Sequence, residues 1–329
     1  MTSKNDFYDL VSIVIRSAGE RTEGLCRELV LAQGFSPENV TTVGRTPFPI
    51  TLRDSYQAGI AMNRPWTLCL DADVLLLSDS IQYMLKIAIN EKSSISVFQF
   101  LVIDKFFGGP REAGNHLYRT SLLSKALECL PDDPGVIRPE TATIEAMKQQ
   151  GFPKKRVNFL IGLHDFEQSF KDIFRKCFIQ AHKHQEYAEI PVTYWPEAKN
   201  EDEDFKIALK GFTDGLSFDG EVNVDAQQEI YSKLFGKLQL NEKTPLHEGF
   251  FTLSDINELA DNWKSPPVYD KYFHYDLISN HNTLSSPIDN LKRAFDKKRY
   301  LGGIKLILYT IGWFIEAVGR KVKFLVDRK

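Results

Sequence analysis

Asp71 and Asp73 stand two residues apart in Leu68–Leu77 (LCLDADVLLL), an otherwise apolar run. An unpaired buried carboxylate is costly, so two of them at the end of a core strand call for a counter-charge. A divalent cation on a nucleotide diphosphate would supply it. Mg²⁺ and Mn²⁺ take oxygen ligands and are commonly held by one or two carboxylates plus substrate phosphates. Asp71 and Asp73 are therefore candidate metal ligands and donor contacts. His182 and His184 (AHKHQEY) also have ligand chemistry. They close a strongly apolar helical pattern with Lys183 between them, so a solvated cationic helix end is favoured over a metal site.

The elements that would position these groups alternate. VSIVI (11–15) is a β-branched run expected as a buried strand, and RTEGLCRELVLAQ (21–33) has helical spacing that Gly34 stops. NVTTV (39–43) predicts a second strand, 53–63 a helix, and 66–70 a third strand ending at the Asp pair. A helix over 78–90, opened by Ser78, and a strand over 95–102 follow. GGPREAGNH (108–116) predicts a polar loop, and helices are expected at 120–130, 140–150 and 166–181. A strand is expected at 189–195 (EIPVTYW), an exposed acidic connection at 197–225 and helix over 226–262. Strand–helix alternation implies an α/β fold with a doubly wound, mostly parallel sheet, whose ligands bind beyond the carboxyl ends of the strands. The Asp pair would sit there.

Of 329 residues, 43% are hydrophobic and 26% charged, which excludes a disordered chain. Residues 291–329 carry a net +8 and the remainder −11, so a polyanionic partner is expected for the tail, an anionic membrane surface and no nucleic acid. Leu306–Ile315 is uncharged for only ten residues, too short to span a bilayer, which takes about 20. Basic residues from Lys297 to Lys329 flank it, with Tyr309 and Trp313 inside. This pattern suits a helix lying on an anionic membrane surface through residues 297–329. Cys26, Cys69, Cys129 and Cys177 form no CxxC, and MTSKNDFYDL has no signal-peptide core. Both features point to a reduced, cytoplasmic protein, peripheral on the inner face of the membrane. Three regions are expected: 1–196 binding and catalytic, 197–290 an acidic connection with a helical accessory part, and 291–329 the basic amphipathic helix.

The order VSIVI, helix, NVTTV, the helix SYQAGIAMNR, then WTLCLDADVLL resembles the nucleotide-sugar-binding half of family 2 glycosyltransferases of the GT-A fold. Gly59-Ile60 and Asp71-Ala-Asp73 occupy the places of that family's Gly-Ile pair and D-x-D signature, and the resemblance spans residues 10–195. It implies a nucleotide-sugar donor, Mn²⁺ or Mg²⁺, and single displacement with inversion. It further implies that Asp73 ligates the metal and that Asp71 contacts metal, ribose or donor sugar. The family's downstream general base has its counterpart in Leu163-His-Asp-Phe-Glu-Gln168, where Asp165 follows Asp73 by 92 residues. Asp165 is the expected base and Glu167 the second candidate, while His164 replaces the usual acid. Asp165 could equally be the N-cap of helix 166–181. By the same resemblance His116, Tyr118, Arg119 and His164 would face the acceptor, a glycan or lipid-linked hydroxyl compound. The turns Arg16-Ser-Ala-Gly-Glu-Arg21 and Val43-Gly-Arg-Thr-Pro47 depart from the family's. Arg16, Ser17, Arg45 and Arg53 are the candidate donor contacts there, the arginines through charge-assisted bonds to phosphate. A nucleotidyltransferase on a similar sheet, or a non-catalytic nucleotide- or sugar-binding protein, are the alternatives. A haloacid-type phosphatase is disfavoured because the Asp pair follows the third strand.

Overall fold

The computed structural model describes residues 7–44, 47–133, 136, 138–220, 222 and 229–278. Its elements are β1 (Val11–Arg16), α1 (Glu23–Ala32), β2 (Val40–Val43), α2 (Phe48–Met62), β3 (Trp66–Asp71), β4 (Val74–Leu76), α3 (Ser80–Ile89), β5 (Val97–Asp104), β6 (Gly109–Glu112), β7 (Asn115–Arg119), α4 (Leu123–Glu128), α5 (Pro139–Gln149), β8 (Lys154–His164), α6 (Phe170–Lys183), α7 (Glu189–Ala198), α8 (Asp204–Leu216), α9 (Glu229–Gly236) and α10 (Leu253–Asn262). The eight strands form one sheet in the order β2-β1-β3-β7-β5-β8-β4, with β6 on β5. Strands β1, β2, β3, β5 and β8 share one direction; β4, β6 and β7 oppose them. The sheet is mostly parallel and has helices on both faces, as the alternation implied. On one face α1 and α3 bury Cys26, Val30, Met84 and Leu85 against β1, β3, β5 and β8. On the other, α2, α4 and α5 bury Leu52, Tyr56, Leu123 and Met147. Strands β1 and β5 are buried along their whole length, which is why they read as predominantly apolar runs.

Two close approaches hold the site in place. A Cβ on Gly59 would lie 2.5 Å from the Thr67 methyl, so glycine lets α2 lie on β3. Gly114, at φ +60°, turns β6 into β7, and its carbonyl accepts from Asp71 N at 2.8 Å.

Several expected elements are different. EIPVTYW is helical, not a strand: Ile190, Pro191 and Trp195 are buried while Val192 is 58% exposed, which an alternating strand would not produce. Packing decides this, because the Trp195 indole donates to Phe106 O at 2.7 Å. The loop 108–116 is largely strand: β6 pairs with β5, and β7 with β3 and β5, pairing that its glycines and proline concealed. Residues 204–216 of the expected connection form α8. Its Phe205, Ala208 and Phe212 pack in the apolar cluster of α6, under a charged first turn. Helix over 226–262 is confined to α9 and α10 among the described residues. The N-cap of α3 is Asp79 rather than Ser78. The membrane-surface segment 297–329 and the region 291–329 lie outside the described residues. Among the described residues no helix is long and apolar enough to cross a membrane.

Candidate active site

Register builds the site. Pairing β1 with β3 sets Arg16 opposite Asp71, and pairing β5 with β8 sets Asp104 opposite His164. The second match depends on bulges. β8 runs 57 positions ahead of β5 at Val97↔Lys154 and 60 ahead at Asp104↔His164. Both pairs therefore end at the carboxyl edge of the sheet, where a cavity of about 750 Å³ opens.

Arg16 is buried; its Nε donates to Asp71 Oδ1 and its Nη1 to Glu140 Oε1, both at 2.8 Å. Burial raises the Asp71 carboxyl, with Arg16 pulling against it. Glu140, from the first turn of α5, lies 3.2 Å from His116 Nδ1 and accepts from Tyr118 at 3.0 Å. Burial acts against the Glu140 charge, yet Arg16 and the Tyr118 hydroxyl hold its carboxyl below the usual range. Burial, reinforced by Arg16, lowers His116 to about 4, so it is neutral.

Asp73 and Asp165 share the Lys176 ammonium. His164 lies between three carboxylates: its Nδ1 is 2.9 Å from Asp104 Oδ2 and 3.2 Å from Asp165 Oδ2, and its Nε2 is 3.6 Å from Asp73 Oδ1. Burial opposes a charge on His164, but Asp165, Asp73 and Asp104 raise it to about 9. Despite burial, Lys176 and His164 hold Asp73 well below the ordinary carboxylate range. Asp165 sits at φ +65°, where a non-glycine residue is strained. That kink follows β8 and turns the carboxylate into the cavity. Asp165 is not the N-cap of α6; Ser169 is, accepting from Asp172 N at 3.1 Å.

Asp73, His164 and Asp165 present ligand atoms within 4.8 Å of one another. Asp73 Oδ1 is buried and has no hydrogen-bond partner. Two carboxylates, one of them with an orphaned oxygen, suit a divalent ion such as Mn²⁺, and the shared ammonium marks the same spot as one that requires positive charge.

The structure thus brings Arg16, Ser17, Asp71, Asp73, His116, His164 and Asp165 to one cavity. Tyr118 lies in the core beneath it, bonded to Tyr56 at 2.9 Å and to Glu140. Arg119 stacks over Trp66 at 4.5 Å and donates to the carbonyls of Ile95 and Glu91, away from the cavity. Arg53 is exposed on α2 and does not line the cavity. Glu167 is tied to Arg21 at 2.9 Å, also outside it. Arg45 lies outside the described residues. His184 is not a solvated cap: it lines the cavity and its Nδ1 faces the Arg138 guanidinium at 3.0 Å. Lys176, Asp104, Glu140, Arg138, Arg175 and Lys183 also line the cavity, and sequence reasoning missed them. For α6 the signal was available: Lys176, Gln180 and Lys183 recur at helical spacing opposite its Phe-rich face.

No family model and no curated protein matches the chain. Solved structures do. A glycosyltransferase involved in glycosylation of the major capsid of PBCV-1 matches at 15% identity and TM-score 0.32, over 45% of this chain and 79% of that one. The mannosyltransferase PcManGT of Pyrobaculum calidifontis, in complex with GDP-Man and Mn²⁺, matches at 10% identity and TM-score 0.35, over 70% and 79%. A CMP:2-keto-3-deoxy-manno-octonic acid synthetase complexed with CTP matches at 8% identity and TM-score 0.29, over 45% and 89%.

Proposed function

We propose that this chain is a metal-dependent glycosyltransferase that moves a sugar from a nucleotide-sugar donor to a hydroxyl of a glycan or lipid-linked acceptor, with inversion. One observation carries the reading. The Asp71/Asp73 strand end and Asp165, 92 residues on, meet in a single cavity of about 750 Å³, where Asp73 and Asp165 share the Lys176 ammonium. Asp71 and Asp73 would hold Mn²⁺ or Mg²⁺, which when bound would neutralise the leaving nucleoside diphosphate. Arg16 opposes the rise that burial gives the Asp71 carboxyl and orients it from the neighbouring strand. Asp165 takes the proton of the acceptor hydroxyl as that oxygen attacks the anomeric carbon. The His164 ring, held by Asp104 Oδ2 at 2.9 Å from Nδ1, lies beside Asp165 and positions the base.

The test is thermal-shift titration of the full chain with nucleoside diphosphates and nucleotide sugars, with and without Mn²⁺, alongside turnover. Binding to the native state raises the midpoint as RT ln(1 + [L]/Kd). One nucleotide class is expected to give a Mn²⁺-dependent shift that Asp73→Asn abolishes. Asp165→Asn is expected to keep that shift and lose turnover by at least ~100-fold, the low end of general-base contributions. Loss of the Mn²⁺-dependent shift in Asp165→Asn would make Asp165 a metal ligand and sink its role as base.

A further inference from the structure

Along α6 the same cavity carries a second group of cations, apart from the Asp73–Asp165 pair. Gln180 and Lys183 face the cavity, and Arg175 and Arg138 line it with them. Arg175 is 8% exposed, yet its Nε has no hydrogen-bond partner, and its nearest ion-pair partner is Asp172 at 3.7 Å. Gln180 is 7% exposed and its Nε2 is likewise unpartnered. The Lys183 ammonium makes no hydrogen bond or ion pair with a described residue. Burial, then Arg138 and Arg111, lower it to about 8, with Asp71 pulling the other way. Arg138 donates to Lys183 O at 2.7 Å, which fixes its guanidinium beside the group.

A buried donor left without an acceptor costs about as much as a lost hydrogen bond, and folded proteins rarely leave one. Two such donors in one cavity wall, beside the Lys183 ammonium, are set for an oxyanion. Next to them is an aromatic wall: Phe107 and Tyr187 meet the His184 ring at 5.5 and 6.0 Å, and Phe273 lies 5.1 Å from Tyr187. The ligand this combination fits is a phosphate group attached to a body that packs on rings. We infer that Arg138, Arg175, Gln180 and Lys183 form an oxyanion subsite for a phosphate carried by the acceptor, separate from the place of the donor diphosphate. The word acceptor rests on the proposed transferase reading; the subsite rests on the unpartnered donors alone. The carboxylates of Asp71 and Asp73 repel a diphosphate until a cation intervenes, whereas this subsite needs no metal.

The experiment measures binding of inorganic phosphate to the full chain in EDTA, against chloride at equal ionic strength. Phosphate is expected to bind the wild type, and Lys183→Met and Gln180→Leu each to weaken it at least tenfold. Lys183→Met is expected not to lower the melting midpoint without phosphate, because it relieves crowding among cations; a residue with a purely structural role would lower it. Saturating phosphate is expected to leave Mn²⁺-dependent nucleotide affinity within twofold. An equal response to phosphate and chloride, or variants that bind like the wild type, would overturn the subsite. Mutually exclusive phosphate and nucleotide binding would overturn its assignment to the acceptor. If no nucleotide binds while phosphate binding depends on Lys183 and Gln180, the subsite stands and the transferase reading fails.

Discussion

At the scale of single residues, the site is a set of opposed titrations. His116 and His184 are neutral: burial and neighbouring cations hold them at about 4 and about 3, below the ordinary 6.5. The unfolded chain therefore binds more protons as pH falls below about 6.5, and their contribution to stability is lost on acidification. His164 has the opposite sign. Its value of about 9 exceeds 6.5, so its contribution is complete below 6.5 and is lost as pH rises through 9. The melting midpoint is expected to peak near neutral pH and to fall on both sides. Scans from pH 4.5 to 10 should show a flatter alkaline limb in His164→Gln and a flatter acid limb in His184→Gln. An unchanged alkaline limb in His164→Gln would remove His164 from its place among the three carboxylates. Asp71 and Asp73 were legible in the sequence because carboxylates inside an apolar run are rare without a purpose. Glu140, Asp104 and Lys176 were not, since each sits in an ordinary helix or strand end and acquires its role only from a partner distant in sequence.

At the scale of elements, the register of two strand pairs and one face of α6 set the chemistry. Lys176 joins the Asp73 turn to the Asp165 kink across 103 and 11 residues of chain. Removing its ammonium leaves two carboxylates facing each other in a buried site; breaking a buried pair in this way costs about 3–5 kcal/mol. Lys176→Met is expected to lower the midpoint by several degrees in EDTA, and Mn²⁺ is expected to restore most of the loss. No recovery with Mn²⁺ would count against a cation site at Asp73. Helices α1, α2 and α6 were visible as periodic apolar patterns. The helix α7 and the strands β6 and β7 were not. EIPVTYW has strand-forming residues that tertiary packing overrides, and the glycines at Gly108, Gly109 and Gly114 read as loop although backbone pairing with β5 and β3 makes strands of their flanks.

At the scale of the whole molecule, the described residues up to Leu277 belong to one compact unit. The charge of residues 291–329, net +8, is set by composition alone. A chain of residues 1–277 is expected to keep its nucleotide-dependent thermal shift and to lose co-sedimentation with anionic vesicles, while both chains ignore neutral vesicles. Vesicle binding that survives the truncation would place the membrane contact elsewhere. The sequence by itself determined the doubly wound α/β class, the strand-terminal Asp pair and the division of charge, because hydrophobic period and composition are local properties. Tertiary structure alone decided that Arg16 meets Asp71, that His164 sits among three carboxylates, and that α6 lines a cavity with unpartnered donors. Those contacts depend on register, bulges and helix docking, which bring together residues more than 50 positions apart and leave no mark in any short window of sequence.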